Sequence, residues 1–394
     1  MQASQPAGQC SPLWPTTLLL GTLFVWRARD ANLSVGHLAR QVKLASVCVN
    51  LLVTGGAGFI GSNFVSYWAA RHPGDRIVVL DAMTYAATET SLAAVRQGID
   101  VVVADICDLE AVRQALLEHE IEVLVNFAAE SHNSFAVLDP TRFFQTNVMG
   151  TQTLLEAARS VKLERFHHVS TCEVYGDLPL DSDASFTEES PYRPRTPYNA
   201  SKASADHAVR SYVETFHLEA TITNCCNNYG PYQFPEKLIP LFTVNALDDK
   251  PLPLYASKEN RREWLHVKDH CRAIEMVLER GRPGETYNVG SGVEASIEQI
   301  ADAVLDALGK PRSLKQIVPD RPGHDRRYLL SSAKIAEQLG WAPEVDFERG
   351  LVETIRWYAE NRGWWTPLIG RSPVTETAWR EVGTGAPAAG SPGR

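Results

Sequence analysis

The stretch VNLLVTGGAGFIGSNFVSYWAA, from Val49 to Ala70, runs from an apolar strand-like segment through a glycine turn into a helical segment. The spacing Gly56-x-Gly58-x-x-Gly61 permits a tight turn and lets the backbone approach a pyrophosphate at the start of the helix. A glycine motif alone is weak evidence, but this one has a strand before it and a helix after it. The stretch therefore predicts the first βα unit of a dinucleotide-binding fold.

Further apolar runs extend this unit into a sheet. The run RIVVLD ends at Asp81, 20 residues after Gly61. A carboxylate there accepts hydrogen bonds from a ribose 2′-hydroxyl and repels a 2′-phosphate, which favours NAD over NADP. Two more strands, DVVVADICD and EVLVNFAAES, alternate with helical segments. The pattern predicts an α/β fold with a Rossmann-type doubly wound parallel sheet. A Rossmann-like fold that binds another nucleotide, or none, is the alternative.

Composition limits the classes of function. The chain has 394 residues, of which 44% are hydrophobic and 22% charged, as in an ordinary globular protein with one large or two fused domains. Its net charge of −9 argues against a nucleic-acid or anionic-membrane binder. Seven scattered cysteines without a C-x-x-C pair indicate reduced thiols in a cytoplasmic protein, not a disulfide framework or a metal site.

The two ends of the chain differ from the rest. Residues 1–48 include the apolar run LWPTTLLLGTLFVW (Leu13–Trp26), which has no basic region before it and is shorter than the ~20 residues of a membrane span. We expect a non-native or disordered extension, with a targeting signal as the alternative. The last residues, 371–394, are rich in glycine, proline and alanine and predict a disordered tail.

A second chemical motif lies in the stretch SPYRPRTPYNASKASADHAVRSY (190–212), where Tyr198 and Lys202 stand four residues apart. On a helix this spacing puts both side chains on one face. The ammonium can then lower the pKa of the phenol. Tyr198 could accept the proton of a substrate hydroxyl while NAD takes hydride from the carbon that carries this hydroxyl. Such a pair is often an accident on a solvated helix. The preceding glycine motif, and Pro197 at the predicted helix start, favour the functional interpretation.

A third motif, HVSTCEVYGDL (168–178), completes a resemblance. The three motifs together resemble the extended short-chain dehydrogenase/reductase superfamily in its nucleotide-sugar branch. More narrowly, NNYGPYQFPEKLIP (227–240), RREWLHVKDHCRAI (261–274), ETYNVGSG and DRPGHDRRY (320–328) resemble dTDP-glucose 4,6-dehydratases. The likeness extends from Val49 to about Tyr358.

The resemblance implies a set of binding residues. Those expected at NAD are Gly55, Gly58, Phe59, Ile60, Gly61, Asp81, Asp105, Ile106, Ala128, Ala129, Tyr198 and Lys202. Those expected at the nucleotide sugar are Ser131, His132, Thr171, Asn227, Lys237, Leu238, Pro253, Tyr255, Arg262, Asn288, Arg321 and His324. The two arginines also make physical sense as diphosphate clamps, because a guanidinium fork matches paired phosphate oxygens. Without the motif, they would be interpreted as exposed surface arginines.

The resemblance also implies how the chain is organised. The expected NAD-binding domain covers residues 49–230, with 266–290 returning to it. A smaller C-terminal α/β domain, mainly residues 231–370, is expected to bind the sugar nucleotide. The family further implies a homodimer joined by helices, here predicted at Thr141–Arg159 and Pro197–Phe216.

The implied reaction is redox-neutral: hydride leaves sugar C4 for NAD, water is lost across C5 and C6, and hydride returns to C6. Tyr198 would oxidise C4 with the help of Lys202, and Thr171 would hydrogen-bond the C4 oxygen. Glu173 matches the base for the C5 proton, and Cys172 takes the position of the acid. Alternatives are a 5,6-dehydratase giving an exo-glycal, a decarboxylase, a 4-epimerase, or a catalytically silent binding protein.

Cys172 departs from the family, whose acid at this position is an aspartate. A thiol is protonated at neutral pH, but it is a weaker acid than an unperturbed Asp by about four to five pKa units and a poor hydrogen-bond donor. Cys172 is therefore either a catalytic thiol or a small buried residue, tolerated because water or another group supplies the proton. A second departure, Asn133-Ser134-Phe135 in place of the more frequent arginine and aspartate, leaves the exact sugar open.

Overall fold

A seven-stranded parallel sheet forms the centre of the computed structural model, which describes residues 48–372. The strands follow the spatial order β10-β6-β5-β4-β1-β2-β3. Two small sheets, β11-β9-β7 and β12-β8, lie in the second half of the chain. The strand bounds are β1 Asn50–Thr54, β2 Arg76–Asp81, β3 Ile99–Val103, β4 Val123–Asn126, β5 Arg165–Thr171, β6 Ala220–Cys225, β7 Asn227–Tyr229, β8 Leu252–Tyr255, β9 Arg261–His266, β10 Thr286–Val289, β11 Glu294–Ser296 and β12 Lys315–Val318.

Twelve α-helices lie between these strands or after the last of them in the described residues. Their bounds are α1 Phe59–Arg71, α2 Leu109–Glu118, α3 Asn133–Leu138, α4 Pro140–Phe143, α5 Thr151–Val161, α6 Pro197–Phe216, α7 Leu238–Leu247, α8 Val267–Arg280, α9 Ile297–Leu308, α10 Ala333–Leu339, α11 Phe347–Glu360 and α12 Arg362–Trp365. A π-helical segment, Phe144–Gly150, joins α4 to α5. Within residues 48–372, no helix is both long and apolar enough to span a membrane.

The central strands are apolar on both faces because helices cover both. In β1, Leu51 and Val53 pack with α1 and α8, whereas Leu52 packs with α2, α5 and α6. Burial on both faces explains the continuous apolar runs in the sequence, which are typical of parallel sheets. The doubly wound α/β fold predicted from the sequence is confirmed.

The order of the strands places a crevice where ligands bind in such folds. Strands β2 and β4 flank β1, because the chain adds β2 and β3 on one side of β1 and then crosses over to add β4 on the other side. Ligands of open α/β sheets bind outside the carboxyl ends of the strands at this reversal point. Strands β7, β8 and β9 belong to the small sheets, and the next strand in the chain, β10, pairs with β6 of the central sheet. The boundaries between the two expected domains stay a prediction, and the predicted extension before residue 48 and tail after residue 372 lie outside the described residues.

The glycine turn between β1 and α1 is packed against its neighbours. Gly55 has a φ of +67°, and a Cβ there would lie 2.6 Å from the backbone nitrogen of Ala128. A Cβ at Gly61 would lie 2.3 Å from the carbonyl oxygen of Gly55. The Gly55 N–H donates to the carbonyl of Leu80 at 2.9 Å, which ties the turn to β2. The turn therefore requires glycine for both conformation and space.

We expect Gly55→Ala to lower the free energy of unfolding by about 2–4 kcal/mol. A non-glycine residue pays for the left-handed conformation, and the methyl group also overpacks the contact with Ala128. Urea unfolding followed by circular dichroism measures the change. Gly98→Ala is the matched control, because a Cβ there meets no atom within 4 Å. Equal stability of the two variants would contradict this account of the turn.

Candidate active site

One cavity of about 1230 Å³ lies at the carboxyl edge of the central sheet. Of the residues predicted from the sequence, it is lined by Gly55, Gly58, Phe59, Ile60, Gly61, Asp81, Asp105, Ile106, Ala128, Ala129, Ser131, His132, Thr171, Glu173, Tyr198, Lys202, Asn227, Lys237, Leu238, Pro253, Tyr255, Arg262, Arg321 and His324. The structure thus collects into one space residues that are more than 250 positions apart in the chain.

The end of the cavity at the glycine turn fits a dinucleotide. Gly58 is the N-cap of α1 and, as a glycine, provides no side chain to hydrogen-bond the backbone amides of the first turn. Helix starts of this kind attract phosphate through their amides and dipole. Asp81 accepts the N–H groups of Ala57 and Met83 at 2.9 and 2.8 Å, which fixes its carboxylate at the edge of the cavity. Burial raises the pKa of Asp81, and these two hydrogen bonds oppose the increase.

Tyr198 and Lys202 both face the cavity from α6, which begins at Pro197. The Lys202 ammonium donates to the carbonyl of Val169 at 2.8 Å and lies 3.2 Å from Nε2 of His168. Burial lowers the pKa of Lys202 to about 8. Burial also raises the pKa of Tyr198 well above its ordinary value, and a hydrogen bond with Thr171 lowers it. The hydrogen bond with Thr171 therefore favours the phenolate, and the effect of the Lys202 ammonium on the pKa of the phenol stays a prediction.

The Thr171–Glu173 triplet marks the point where β5 ends and a short 3₁₀ turn, Cys172–Tyr175, begins. The Thr171 hydroxyl caps the turn by accepting the N–H of Glu173 at 3.3 Å. The Glu173 carboxylate accepts a hydrogen bond from Nδ2 of Asn133 at 3.2 Å. Oδ1 of Asn133 lies 3.1 Å from the hydroxyl of Thr196, which also lies 2.7 Å from Oδ1 of Asn199. Asn133, first noted only as a departure from the family pattern, thus orients Glu173.

Cys172 does not line the cavity with its neighbours. Its side chain is fully buried in an apolar cluster that includes Ala203, Cys226 and Leu265. Burial, reinforced by the charge of Glu173, raises the pKa of the thiol well above its ordinary value. Both its position and its weak acidity make the thiol a poor proton donor to a ligand in the cavity.

Asn288 is the other predicted residue that the structure places elsewhere. It lies in β10 with no exposed surface, and its Oδ1 accepts a hydrogen bond from the Tyr175 hydroxyl at 2.8 Å. Its Nδ2 donates to the carbonyl of Phe186 at 3.2 Å. Since the side chain is occupied inside the protein, Asn288 supports the fold behind the site.

Two arginines, Arg262 and Arg321, bring positive charge to the cavity. Arg262 is only 6% exposed, stacks its guanidinium 4.8 Å above the ring of Tyr328, and donates to the carbonyl of Asp325 at 2.8 Å. The Nη1 atom of Arg321 is buried and has no hydrogen-bond partner within the described residues. A buried, unsatisfied guanidinium nitrogen that lines a cavity fits an anionic ligand such as a diphosphate.

Asp325, which was not among the residues predicted from the sequence, also lines the cavity. Its side chain is 1% exposed, and neither carboxylate oxygen has a hydrogen-bond partner within the described residues. The nearest guanidinium nitrogen in an ion pair, Nη1 of Arg195, lies 3.7 Å from Oδ1. Burial and the charge of Glu173 raise the pKa of Asp325 to about 6, whereas the nearby arginines lower it. Its position inside the DRPGHDRRY motif was the one available signal.

A neutral histidine borders the same cavity. Nδ1 of His132 accepts the N–H of Phe135 at 3.3 Å and so caps α3, and its Nε2 lies 3.5 Å from Glu236. Burial, with the charges of Lys237 and Arg321, lowers the pKa of His132 to about 3. The ring is therefore uncharged at neutral pH and can serve a ligand as a hydrogen-bonding group but not as an ionic one.

A doubly wound sheet, a glycine turn at its reversal point and a Tyr-x-x-x-Lys helix facing the same cavity define an extended short-chain dehydrogenase/reductase. Comparison with known proteins narrows this class. Residues 52–354 match the family model described as GDP-mannose 4,6 dehydratase. The chain is 46% identical to the dTDP-glucose 4,6-dehydratase of Streptomyces niveus over 335 residues, which cover 84% of this chain and 98% of the relative. The chain belongs to the dTDP-glucose 4,6-dehydratase family.

Solved structures also place this chain nearer to dTDP-glucose 4,6-dehydratases than to epimerases of the same fold. The chain is similar to DesIV, a dTDP-glucose 4,6-dehydratase from Streptomyces venezuelae with NAD and the nucleotide ligand TYD bound, with a TM-score of 0.79. That similarity has 48% identity and covers 81% of this chain and 100% of DesIV. A UDP-glucose 4-epimerase from Thermotoga maritima, with a TM-score of 0.75, shares only 26% identity over 80% of this chain and 100% of the epimerase. The fold is thus common to both enzymes, and the sequence is closer to the dehydratase.

We expect Asp325→Asn to stabilise the protein at neutral pH. A carboxyl whose pKa is raised from 3.8 to about 6 binds its proton more tightly in the folded state, so wild-type stability falls as pH rises through that window. The corresponding free energy is about 3 kcal/mol. Urea unfolding at pH 4, 5, 6 and 7 should show that the free energy of unfolding of the variant, relative to that of the wild type, increases with pH. A difference in free energy that does not increase with pH would contradict the raised pKa.

Proposed function

We propose that this chain catalyses the NAD-dependent 4,6-dehydration of a nucleoside-diphosphate hexose, dTDP-glucose to dTDP-4-keto-6-deoxyglucose. The observation that carries the proposal is the convergence of Thr171, Glu173 and Tyr198 on one cavity that is also lined by the glycine turn and by Arg321, whose Nη1 atom is unsatisfied. The sugar would lie beside these three side chains, within reach of both the redox chemistry and the acid–base chemistry.

The C4 chemistry is assigned to Thr171, Tyr198 and Lys202. When bound, NAD supplies the hydride acceptor and donor that the redox-neutral cycle needs. Tyr198 would take the proton from the C4 hydroxyl, and Thr171 would hold the same oxygen. The hydrogen bond between Thr171 and Tyr198 supports this pairing, because it stabilises the phenolate in a site whose burial otherwise disfavours it.

The C5 chemistry is assigned to Glu173. Once C4 is a ketone, the C5 proton becomes acidic, and a carboxylate near the sugar can remove it. Asn133 holds the carboxylate by one hydrogen bond, and the hydroxyl of Thr196 lies against the amide oxygen of Asn133. This connection restricts the rotamers of Glu173, which keeps the base aimed into the cavity.

Binding of the nucleotide diphosphate is assigned to the positively charged lining of the cavity. Arg262 and Arg321 would hold the phosphate oxygens, and Lys237, whose ammonium donates to the carbonyl of Ser131 at 2.9 Å, would add a further charge. Asp81 would accept the ribose hydroxyls of NAD, because a carboxylate has lone pairs left after its two backbone hydrogen bonds.

We further propose that two chains associate through α6 and the helical stretch Pro140–Val161. Large apolar side chains are exposed on these helices: Phe144 is 41%, Met149 54% and Phe216 47% exposed. Exposed apolar side chains that share one face often mark an interface with another protein. A homodimer would cover them.

We also propose that the chain is divided into an NAD-binding and a sugar-nucleotide-binding part, which is supported by the return of β10 to the central sheet. A cytoplasmic location is proposed as well. It is supported by the free thiols of Cys48, Cys107, Cys172, Cys225, Cys226 and Cys271.

Incubation of the purified protein with dTDP-glucose tests the function. We expect NMR to show dTDP-4-keto-6-deoxyglucose, with no net accumulation of NADH because hydride is returned within each cycle. UDP-glucose and UDP-N-acetylglucosamine should be converted less efficiently. Recovery of the C4 epimer alone, or of a 5,6-unsaturated sugar, would refute the proposal.

Tyr198→Phe provides the mutational test of the C4 step. Loss of the proton acceptor should lower kcat by about 100-fold or more, since positioned acid–base groups contribute that much. Tyr67→Phe is the control, because Tyr67 hydrogen-bonds Glu275 away from the cavity. Comparable losses in both variants would point to a general effect on folding.

The proposed dimer has its own test. Met149→Glu places a charge within the proposed interface, and light scattering should show a shift from dimer to monomer. Leu117→Glu is the control, because Leu117 is 57% exposed on α2 and outside that surface. A wild-type monomer at micromolar concentration would rule out the dimer.

A further inference from the structure

The dehydration needs a proton donor at C6, and the thiol in the family's donor position lies outside the cavity. Cys172 is fully buried among apolar side chains, whereas its neighbours Thr171 and Glu173 both line the cavity. Hydroxide is a poor leaving group, so loss of the C6 oxygen requires a proton from some group within reach. The site should therefore contain another acid.

We propose that Asp325 is the acid that protonates the departing C6 hydroxyl. This assignment rests on the proposed 4,6-dehydration and adds a catalytic residue from outside the Thr171–Glu173 triplet.

The position of Asp325 supports the assignment. Asp325 lines the same cavity as Thr171 and Glu173, whereas the thiol of Cys172 does not. The charge of Glu173 acts on the carboxyl group of Asp325. Its backbone is held in place, because its carbonyl accepts hydrogen bonds from Nδ2 of Asn260 at 3.1 Å and Nη2 of Arg262 at 2.8 Å.

The unsatisfied state of the carboxyl group supports it further. Both oxygens of Asp325 are buried and lack hydrogen-bond partners within residues 48–372. Buried polar atoms in folded proteins nearly always have a partner, so exceptions that line a cavity indicate a ligand. The hydroxyl of a bound sugar would be a suitable partner, since it can exchange a hydrogen bond with a carboxyl group.

The electrostatic surroundings make Asp325 a better acid than the thiol at neutral pH. Burial and Glu173 raise its pKa to about 6, while Arg195, Arg262 and Arg321 prevent a larger increase. A catalytic acid works best when its pKa lies near the working pH, because it is then partly protonated and still acidic. The thiol of Cys172, whose pKa is raised well above its ordinary value, is protonated but is a much weaker acid than the carboxyl group of Asp325.

The step balances in atoms and electrons. Glu173 removes the C5 proton, the C5–H electron pair forms the C5=C6 double bond, and the C6–O bond breaks with its electrons on oxygen. Asp325 donates its proton to that oxygen, so water leaves. Asp325 ends as a carboxylate and Glu173 as a carboxylic acid, and no outside oxidant or reductant is needed.

A competing role for Asp325 is to position the diphosphate clamp, since its neighbours include Arg262 and Arg321. The two roles predict different results for an Asp325 variant when the C6 hydroxyl of the substrate is replaced by a better leaving group. Fluoride leaves without a proton, so dTDP-6-deoxy-6-fluoroglucose needs no acid at C6. A clamp residue would be needed equally for both substrates.

The test compares Asp325→Asn with the wild type on dTDP-glucose and on the fluoro analogue. We expect the variant to lose about 100-fold or more in product formation from dTDP-glucose but to release fluoride within a few-fold of the wild-type rate. Exchange of the C5 hydrogen with deuterated solvent should persist, because Glu173 is intact. Asp325→Glu, which restores a carboxyl group, should recover part of the loss, and the pair Asp325→Ala and Asp325→Glu serves if the Asn variant fails to fold.

Asp320→Asn is the matched control, because Asp320 lies in the same segment and already accepts hydrogen bonds from the N–H and hydroxyl of Ser257. It should show no preference between the two substrates. Equal losses on both substrates in Asp325→Asn, or wild-type turnover of dTDP-glucose, would overturn the proposal. The same would follow if Cys172→Ala selectively lost dTDP-glucose turnover while fluoride release was spared. Failure of the wild type to dehydrate dTDP-glucose would instead refute the proposed function itself.

Discussion

The site depends on the contact between the glycine turn and the end of β4. Gly55 lies against the backbone of Ala128, and a methyl group at Gly55 would occupy the space of Ala128 itself. This contact holds the start of α1 beside the carboxyl ends of β1, β2 and β4, where the strand order reverses. Backbone contact at this distance leaves no room for side-chain adjustment, so the position of the cavity follows from it.

The same cavity contains polar groups that the fold alone leaves unsatisfied. The Nη1 atom of Arg321 and both carboxylate oxygens of Asp325 are buried without partners within the described residues. Such groups reduce stability, because desolvation is not compensated by a hydrogen bond. Proteins keep arrangements of this kind where function needs them, and a ligand then supplies the missing partners. The distribution of unsatisfied atoms is therefore as informative about this site as its shape.

Local motifs accounted for most of the cavity lining, and the exceptions have clear physical causes. Asn288 was expected at the ligand, but the pairing of β10 with β6 directs its side chain toward Tyr175 and Phe186. Cys172 was expected beside the sugar, but it begins a 3₁₀ turn that points its thiol into the apolar cluster. Side-chain direction in such places depends on strand pairing and turn geometry, which residue spacing alone does not specify.

The sequence by itself determined the sheet, the glycine turn, the Tyr198–Lys202 pair and the preference for a dinucleotide, because each depends on residues close together in the chain. Only the tertiary structure decided that Asn133 and Asp325 share the cavity with Glu173. Asn133 and Asp325 come from segments nearly 200 residues apart. The hydrogen bond of Asn133 to Glu173 and the raised pKa of Asp325 both depend on neighbours from other elements. Burial and charge–charge distance are properties of the folded chain, so the acid–base character of this site appears only after folding.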